Sequence, residues 1–589
     1  MSSIPALLRD RVTSTPDAEA YRYPGESGWT SLTWSEVDRR VRPLALGLAA
    51  LGANRDHRVS LLCSTRVEWI IADLAVLATG AATTTIYPSN TADECAYVIN
   101  DSGTRLVIAE NDEQVAKLLS VRKDLPDVAH VLVIDGSASD DGWVLRLDEV
   151  SGEGDYDALV EAIAPEDLAT LIYTSGTTGR PKGVELTHAN WLATGDSVAK
   201  LDLLGPADLH FLWLPLSHSF GKLLQVTMIS CGVPTAVDGR LDKIVENLGV
   251  LKPTFMAAAP RIFEKVHNTV AATTAREGGA KAKIFDWAKK TGLRVSRARQ
   301  RGQSVPLTTR VEHAIATKLV FSKLQARFGG RIRFFISGSA PLSIEMAEFF
   351  DAAGLPILEG YGLTESSAGS FMNRPESNAF GTVGPPLPGV EVKIAEDGEV
   401  LIGGPGIMRG YHNLPEATAE ALTEDGWLRT GDIGELDDQG RLRITDRKKE
   451  LIKTSGGKYV APTHIEGKIK AACPYLSHVF VHGDRRNYCT ALVTLDPDVV
   501  KPWAQAEGLP EEPEKLRDHE RMRAEVQKAI DSVNAGLASY ETIKKFAILP
   551  ADFSVETGEL TASLKVKRKV VETHYGDTLD DFYTDANPR

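Results

Sequence analysis

The chain has 589 residues, of which 43% are hydrophobic and 25% are charged, and its formal net charge is −14. Because a single hydrophobic core stops growing near about 250–300 residues, this length predicts more than one domain. The acidic balance argues against general nucleic-acid binding, and five scattered cysteines without CxxC spacing argue against a disulfide framework or a zinc site.

Strand-like and helix-like patterns alternate through the first 260 residues. The strand-like runs lie at residues 58–63, 105–109 and 131–134, and the helix-like stretches lie at 37–51 and 93–100. This alternation predicts an α/β sheet with helices on its faces. The most apolar stretch, 69–86, is interrupted by Asp73 and Gly80, so it predicts a core helix leading into a strand and not a membrane span.

Residues 265–330 are predicted to be mostly helical, and they carry an unusual excess of basic residues. From Lys265 to Arg333 the chain has 16 Lys and Arg residues against 3 Asp and Glu residues. One interpretation is the solvated face of a group of surface helices. The other is attraction to anionic lipid headgroups or to phosphate-bearing substrates.

The last part of the chain is predicted to contain two smaller units. The density of turn residues over 381–447 predicts a small β subdomain. The remainder predicts a compact α+β unit with a charged helix around 514–537. We therefore predict an α/β fold in which a large N-terminal domain, 1–446, has α/β subdomains and a small β subdomain. A small, mobile α+β C-terminal domain, 447–589, follows it.

The strongest local motif is YTSGTTGRPKGV, which spans Tyr173–Val184. It directly follows the apolar run 168–172, so a strand is predicted to lead into a loop rich in glycine, serine and threonine. Glycines let backbone N–H groups turn toward an anion, and the hydroxyls and Lys182 add donors and positive charge. The segment therefore predicts a phosphate-binding loop, although Pro181 before the lysine distinguishes it from the Walker sequence.

This loop resembles the phosphate-loop signature of the adenylate-forming superfamily, which includes acyl-CoA synthetases, firefly luciferase and nonribosomal adenylation domains. Further signatures follow in the family's order, so the resemblance covers nearly the whole chain. In the motif YGLTE it implies that Tyr361 stacks on adenine and that Thr364 contacts the α-phosphate. It also implies that Glu365 binds Mg²⁺, with Thr177 as a second ligand. A flat aromatic ring suits a purine face, and a hard carboxylate suits magnesium.

Two further motifs complete the nucleotide site that the resemblance implies. The segment SGSAPL, Ser337–Leu342, resembles the family's adenine-side loop. The segment TGD, Thr430–Asp432, resembles the ribose motif, in which the carboxylate accepts hydrogen bonds from the two ribose hydroxyls. The implied ATP- and AMP-binding residues are Thr174, Ser175, Gly176, Thr177, Thr178, Gly179, Gly338, Ser339, Ala340, Tyr361, Gly362, Asp432 and Arg447.

The segment DRKKELIKTSGGK, Asp446–Lys458, resembles the hinge between the family's two domains. The resemblance implies that Lys449 is the pivot and that Lys458 faces the phosphates of coenzyme A. It also implies that Gly456 leaves room for the pantetheine arm, since glycine allows a ligand to run against backbone.

The lysine near the C-terminus and the acyl site are assigned by the same resemblance. TGELTASLKVKRK, Thr557–Lys569, is similar to the version of the adenylation-lysine region seen in long-chain enzymes. We expect the adenylation lysine at Lys565, with Lys567 as the alternative because the commoner Ser-Gly-Lys wording is absent. PLSHSFG resembles the acyl-site segment, which places His218 beside the substrate carboxylate and Phe220 in the acyl site.

Together these motifs imply a two-step ligase. A fatty carboxylate is already ionised at neutral pH, so the first step needs positioning and charge neutralisation to form acyl-AMP and pyrophosphate. Rotation of the C-terminal domain then admits coenzyme A, whose thiol takes the acyl group. The implied catalytic residues are Lys565, Glu365, Thr364 and Lys182, and the implied cofactors and co-substrates are ATP, Mg²⁺ and coenzyme A. Segment 265–330 resembles the long-chain branch, so the expected acid is a long-chain fatty acid.

Three alternatives remain open. The first is a fatty acyl-AMP ligase that loads a carrier protein, although no insertion interrupts the hinge. The second is an enzyme that adenylates another acid such as an amino acid, although the acyl-site segment lacks an acidic residue to hold an ammonium. The third is an inactive acyl- or nucleotide-binding protein. Because no basic and apolar leader begins the sequence, we expect a cytoplasmic protein. We also expect peripheral contact with the inner face of a membrane through 265–330 and no nucleic-acid partner.

Overall fold

The computed structural model describes residues 2–174, 180–448, 450–561 and 564–584, with the backbone alone at Ala272, Ala275 and Glu277. The strands are β1 (Glu19–Gly25), β2 (Gly28–Thr33), β3 (Arg58–Leu62), β4 (Ala82–Ile86), β5 (Thr104–Asn111), β6 (His130–Asp135), β7 (Val144–Arg146), β8 (Leu168–Thr174), β9 (Lys182–Thr187), β10 (His210–Leu212), β11 (Thr235–Val237), β12 (Phe255–Ala258), β13 (Phe334–Ser337), β14 (Ile357–Tyr361), β15 (Phe371–Met372), β16 (Glu391–Ile394), β17 (Glu399–Gly403), β18 (Gly410–Tyr411), β19 (Leu428–Leu436), β20 (Leu442–Arg447), β21 (Ile452–Lys453), β22 (Tyr459–Val460), β23 (Leu476–His482), β24 (Cys489–Leu495) and β25 (Ile543–Ile548).

Helices alternate with these strands along the described chain. They are α1 (Ile4–Ser14), α2 (Trp34–Ala50), α3 (Val67–Ala78), α4 (Ala92–Ser102), α5 (Asp112–Ser120), α6 (Tyr156–Glu161), α7 (His188–Ala199), α8 (Ser219–Cys231), α9 (Ile244–Leu251), α10 (Pro260–Glu277), α11 (Gly279–Gln300), α12 (Leu307–Ala316), α13 (Ser322–Arg327), α14 (Ile344–Ala352), α15 (Pro415–Ala421), α16 (Pro462–Ala472), α17 (Pro497–Glu507), α18 (Pro513–Leu516), α19 (Glu520–Asn534), α20 (Arg568–His574) and α21 (Gly576–Thr584). A π-helical turn, Thr317–Phe321, joins α12 to α13.

Two large sheets organise the N-terminal part of the described chain. One has the strand order β15-β14-β13-β12-β10-β11-β1-β2, and the other has the order β18-β9-β8-β4-β3-β5-β6-β7. Their inner strands pair in parallel, as β3 does with β4 and β12 with β13, while β2, β15, β9 and β18 pair antiparallel at or next to the edges. Parallel neighbours need long crossovers, so helices cover the sheet faces.

Local sequence signals account for several helix boundaries. The helices α2 and α4 each begin at a capping box, formed by Thr33 with Glu36 and by Thr91 with Glu94. The helix α4 ends where Gly103 adopts φ 67°, a left-handed conformation that glycine takes without strain.

The apolar stretch over residues 69–86 folds as the sequence predicts. It forms the buried helix α3 and then the strand β4. The buried Asp73 of α3 pairs with Lys222 of α8, and Gln225 donates to the same carboxylate oxygen at 2.9 Å. This interior ion pair joins α3 to α8, the helix that begins within the predicted acyl-site segment. Among the described residues, no helix is both long and apolar enough to cross a membrane.

Two smaller units follow the large sheets. The antiparallel sheet β16-β17-β19-β20 is the small β subdomain predicted over 381–447. Beyond it, the sheet β23-β24-β25 packs with α16 and α19 around a separate apolar core. The prediction of one charged helix over 514–537 is wrong in detail, because α18 ends before the chain turns at His519. There His519 Nδ1 accepts the Arg521 N–H at 3.3 Å and starts α19.

Candidate active site

The hairpin β8–β9 frames the predicted phosphate loop. Thr174 and Lys182 are cross-strand partners at the two ends of that loop. The loop residues predicted to bind phosphate, Ser175, Gly176, Thr177, Thr178 and Gly179, lie outside the described residues, and so does the predicted metal ligand Thr177. The Lys182 ammonium lies 4.9 Å from the ring centroid of Tyr411, so a cation stands beside the loop at the edge of the site.

Tyr361, Asp432 and Arg447 form the centre of the predicted nucleotide site. The Tyr361 hydroxyl donates to Asp432 Oδ2 at 2.5 Å. Asp432 on β19 and Arg447 on β20 are cross-strand partners, and Arg447 Nε lies 3.3 Å from Asp432 Oδ1. Burial raises the pKa of Asp432, while Arg447 and the Tyr361 hydrogen bond act in the opposite direction. The small β subdomain therefore presents one carboxylate to the end of β14.

The turn after β14 positions Thr364 and Glu365. A side chain at Gly362 would overlap the carbonyl of Ala368, so only glycine fits this turn. The Tyr411 hydroxyl donates to Glu365 Oε1 at 2.7 Å, and among the described residues Glu365 Oε2 accepts no hydrogen bond. One carboxylate oxygen is thus held in place, while no described residue donates to the other. This arrangement fits a hard cation such as Mg²⁺, which binds through one or two protein carboxylates together with phosphates.

The predicted acyl-site segment is tied directly to the nucleotide motifs. Ser219 Oγ and Thr364 Oγ1 share a hydrogen bond of 3.1 Å. A Cβ built at Gly338 would stand 3.3 Å from the ring of Phe220, so the adenine-side loop passes closely over this phenylalanine. In the same loop Ser339 has φ 69°, a left-handed conformation unusual for serine, and Ala340 follows it. The structure brings the predicted acyl and adenine residues together.

His218 caps the N-terminus of α8 and acts as an acceptor there. Its Nδ1 accepts the Phe220 N–H at 3.1 Å, which leaves the proton on Nε2 in the neutral ring. Burial and the nearby charge of Lys565 lower the pKa of His218 to about 3. The imidazole ring is therefore neutral at physiological pH and carries its proton on Nε2.

Lys565 extends from the C-terminal unit into the cleft beside this site. Burial and Arg447 lower its pKa to about 8, while Asp432, Glu365 and Glu450 act to raise it. The lysine therefore lies within electrostatic reach of the nucleotide motifs. Atoms of the cleft crowd its ammonium and desolvate it, while the residue as a whole keeps solvent-accessible surface. The alternative, Lys567, lies at the N-cap of α20, and its backbone N–H donates to Glu559.

The turn around Gly456 is open to solvent. A Cβ at this glycine would meet only Thr454 Oγ1, at 3.9 Å, so this conformation does not itself require glycine. In contrast, Gly457 has φ 74° and needs glycine for the turn. Lys458 is exposed on the same turn, and its N–H donates to Thr454 Oγ1 at 3.2 Å. The predicted pivot, Lys449, lies outside the described residues.

Contacts on α10 join it to the C-terminal unit in the orientation that places Lys565 in the cleft. Lys265 Nζ lies 2.8 Å from Asp498 Oδ2, and Lys470 Nζ lies 2.7 Å from Glu264 Oε2. Arg261 also donates to Ser477 Oγ at 3.2 Å. These residues form what we call the α10 latch, which consists of Arg261, Glu264 and Lys265 on α10 with Ser477, Lys470 and Asp498 on the C-terminal unit.

Two residues of the site were missed by the sequence analysis. Tyr411 holds Glu365 and flanks Lys182, and Glu450 contributes negative charge near Lys565. Tyr411 follows the glycine-rich segment GGPGIMRG, and an aromatic residue after such a segment is a signal that could have found it. Its partner lies 46 positions away in the chain, so no local pattern indicates the contact.

Comparison with known proteins supplies the chemical context for this geometry. The model of the AMP-binding enzyme family matches residues 8–412, and the model of the AMP-binding enzyme C-terminal domain matches residues 449–587. A Mycobacterium tuberculosis protein named long-chain-fatty-acid–CoA ligase FadD15 is 37% identical over 595 residues, which cover 99% of this chain and 97% of that protein. Long chain acyl-CoA synthetase 7, a peroxisomal protein of Arabidopsis thaliana, is 31% identical over 599 residues, covering 96% and 83%.

Solved structures show the same fold. The adenylation domain of a carboxylate reductase from Mycobacterium chelonae matches with a TM-score of 0.77 and 22% identity, covering 99% of this chain and 91% of that one. At this identity the similarity concerns the fold alone. It confirms the predicted α/β class with a separate C-terminal unit.

Proposed function

The chain belongs to the AMP-binding enzyme family, and on that premise we propose that it activates a long-chain fatty acid with ATP and transfers the acyl group to coenzyme A. The observation that supports this most directly is the convergence of Lys565 with Asp432 and Glu365 in one cleft. The full-length similarity to a protein named long-chain-fatty-acid–CoA ligase supports the choice of acid.

In the first step, the substrate carboxylate approaches the α-phosphorus of ATP, and both groups are anionic. At pH 7 most Lys565 side chains carry a proton, because the pKa of about 8 lies above that pH. The ammonium can therefore bridge the carboxylate and the α-phosphate and offset their repulsion. The carboxylate oxygen bonds to phosphorus and the bond to the leaving pyrophosphate breaks, so no general base is required.

The residues around the nucleotide would orient it for this attack. Asp432 would accept from the ribose hydroxyls, and its hydrogen bond from Tyr361 limits its freedom. Glu365, with one oxygen fixed by Tyr411, would hold Mg²⁺, which when bound supplies positive charge against the phosphates. His218 would offer its Nε2–H to the substrate carboxylate.

The second step would use a different face of the C-terminal unit. We infer a domain boundary at residues 446/447, rotation about Lys449, and passage of the pantetheine arm beside Gly456, with Lys458 near the coenzyme A phosphates. The open space at Gly456 supports this assignment. The coenzyme A thiolate would attack the acyl carbonyl and release AMP. Contact of segment 265–330 with a membrane also belongs to this proposal.

The direct test measures pyrophosphate release and coenzyme A thioester formation in parallel, with MgATP and saturated fatty acids of increasing length. Both products with a long-chain optimum are the expected result. Pyrophosphate without thioester would identify an acyl-AMP ligase for a carrier protein. Neither product with any fatty acid would overturn the choice of substrate.

A further inference from the structure

The ribose motif on β19 departs from the regular strand ladder. Between two paired positions, β17 has one residue, Val400, whereas β19 has three, residues 430–432. Such a bulge interrupts the ladder and redirects a side chain, and bulges are over-represented next to active sites. The pairing of β19 with β17 therefore does not by itself determine the position of Asp432, and other contacts have to hold this part of the strand.

Glu399 on β17 and Lys448, which follows β20, hold the peptide of Gly431 at the centre of this bulge. Glu399 Oε1 accepts the Gly431 N–H at 2.9 Å, and the Gly431 carbonyl accepts the Lys448 N–H at 2.8 Å. Lys448 Nζ in turn lies 3.1 Å from Glu399 Oε2. These three residues form a closed ring of contacts, which we call the Gly431 clamp. Both backbone polar groups of Gly431 are therefore paired within it.

Burial makes Glu399 depend on these partners. The residue is 7% exposed, and a buried carboxylate without hydrogen-bond donors costs free energy. The native fold is therefore favoured only when the Gly431 N–H and the Lys448 ammonium both face this carboxylate. Lys448 is half-exposed, and Asp397 Oδ2 also holds its ammonium, at 2.5 Å. Gly431 has φ 71°, a conformation that glycine adopts without strain, so the clamp does not strain the backbone.

Asp432 follows the clamped peptide directly, so the orientation of that peptide sets the direction of its side chain. The residue before the clamp is also tied to β17, because the Thr430 hydroxyl donates to the Val400 carbonyl at 2.7 Å and accepts the Asp432 N–H at 3.1 Å. We propose that Glu399 is a positioning residue for the carboxylate of Asp432 and acts through the Gly431 clamp. This inference rests on the proposed function, since it takes Asp432 as the acceptor for the ribose hydroxyls of ATP.

The test measures the binding of ATP and of 2′-deoxyATP, each with Mg²⁺, to the full chain by titration calorimetry. 2′-DeoxyATP lacks one of the two hydroxyls that would donate to Asp432, so the original chain should bind ATP about tenfold more tightly. Glu399→Ala should reduce this ratio of affinities to about twofold or less, because Asp432 would lose its fixed direction. Glu399→Gln keeps an oxygen for the Gly431 N–H and should keep most of the ratio.

Three further variants complete the experiment. Lys448→Met removes the ammonium but not the backbone N–H, so it should reduce the ratio by about two- to fivefold. This variant decides the test if thermal unfolding shows that Glu399→Ala is not folded, and an unchanged ratio in it would then overturn the inference. Asp432→Ala gives the ratio that is expected without the ribose contact. The matched control is Glu391→Ala, at an exposed carboxylate on β16 of the same sheet, and it should leave the ratio unchanged.

A purely structural role of Glu399 predicts a different pattern. The affinities for the two nucleotides would then fall equally in Glu399→Ala, and their ratio would persist. That outcome would overturn the inference, and so would equal binding of the two nucleotides by the original chain. No fatty acid or coenzyme A is present in these titrations. Absence of thioester formation in a chain that keeps the expected ratios would therefore remove the proposed function and not the positioning role of Glu399.

Discussion

The two sides of the candidate active-site cleft are built differently. On the nucleotide side, Asp432 is buried, accepts a hydrogen bond from Tyr361 and faces Arg447 across a strand pair. On the other side, Lys565 is desolvated by the cleft but keeps solvent-accessible surface, and among the described residues its ammonium makes no hydrogen bond or ion pair. Polar groups that are held in fixed positions on the nucleotide side are useful in both steps of the proposed reaction. Lys565 has to leave the cleft between the two steps, so it cannot be held by fixed hydrogen bonds in the same way.

The largest expected effect comes from removing the ammonium group of Lys565. Lys565→Ala should lower fatty acid-dependent pyrophosphate release by about 10²–10³-fold, because the two anions would then meet without a bridging cation. Transfer of the acyl group from chemically prepared acyl-AMP to coenzyme A should persist. Both reactions are followed in the same preparation by pyrophosphate and thioester assays.

The matched control for that experiment is Lys567→Ala, since Lys567 is the second lysine of the same segment. It should leave pyrophosphate release within about twofold of the original, as is usual for a surface substitution. Equal losses in the two variants would contradict the assignment of Lys565 and would place the catalytic cation elsewhere.

A substitution at Gly456 should separate the two steps in the opposite sense. The glycine has open space around it, so Gly456→Leu should fold and release pyrophosphate normally. If the pantetheine arm passes there, thioester formation from acyl-AMP should fall by about tenfold or more, because the leucine would occupy its path. Gly467→Leu, at a glycine of α16 that is also free of neighbours within 4 Å, is the control and should keep both activities. Unchanged thioester formation in Gly456→Leu would show that the pantetheine arm does not pass beside Gly456.

The dependence of the first step on pH should report the weakly held lysine. Because the pKa of Lys565 is lowered to about 8, the ammonium is present below that pH and is lost as the pH rises through it. The kcat/KM for pyrophosphate release should thus be level near neutrality and fall up to about tenfold per pH unit well above 8. His218, with its pKa lowered to about 3, stays neutral and adds no limb between about pH 5 and 9. A level profile to about pH 10 would exclude Lys565 as the essential acid form.

The features that could be predicted from the sequence are those that depend on neighbouring residues in the chain. The strands and helices of the N-terminal part have regular apolar periods, and residues such as Asp432 and Glu365 lie in continuous motifs. The contact of Glu365 with Tyr411 joins distant segments and depends on how the sheets pack. No local pattern carries that information.

The choice between Lys565 and Lys567 depended on an irregular turn. Leu564 has φ 62°, a conformation that leucine rarely adopts, and an isolated bridge joins Leu560 to Val566. In such a turn no regular spacing in the sequence indicates which way each side chain points.

The smallest expected effect concerns the α10 latch, which joins the N-terminal part to the C-terminal unit that carries Lys565. The Lys265–Asp498 pair is exposed, and such a pair contributes only about 0.2–1 kcal/mol. The Lys470–Glu264 pair is half-buried, so we expect it to be the stronger contact of the latch. Lys470→Glu would set two carboxylates against each other at Glu264 and should favour departure of the C-terminal unit. Pyrophosphate release should then fall by about two- to fivefold, while thioester formation from acyl-AMP stays equal or increases. The charge swap Glu264→Lys/Lys470→Glu should restore the original ratio of the two rates. Both rates could instead fall together, with no recovery in the charge-swap variant. The latch would then stabilise the fold without selecting the orientation of the C-terminal unit.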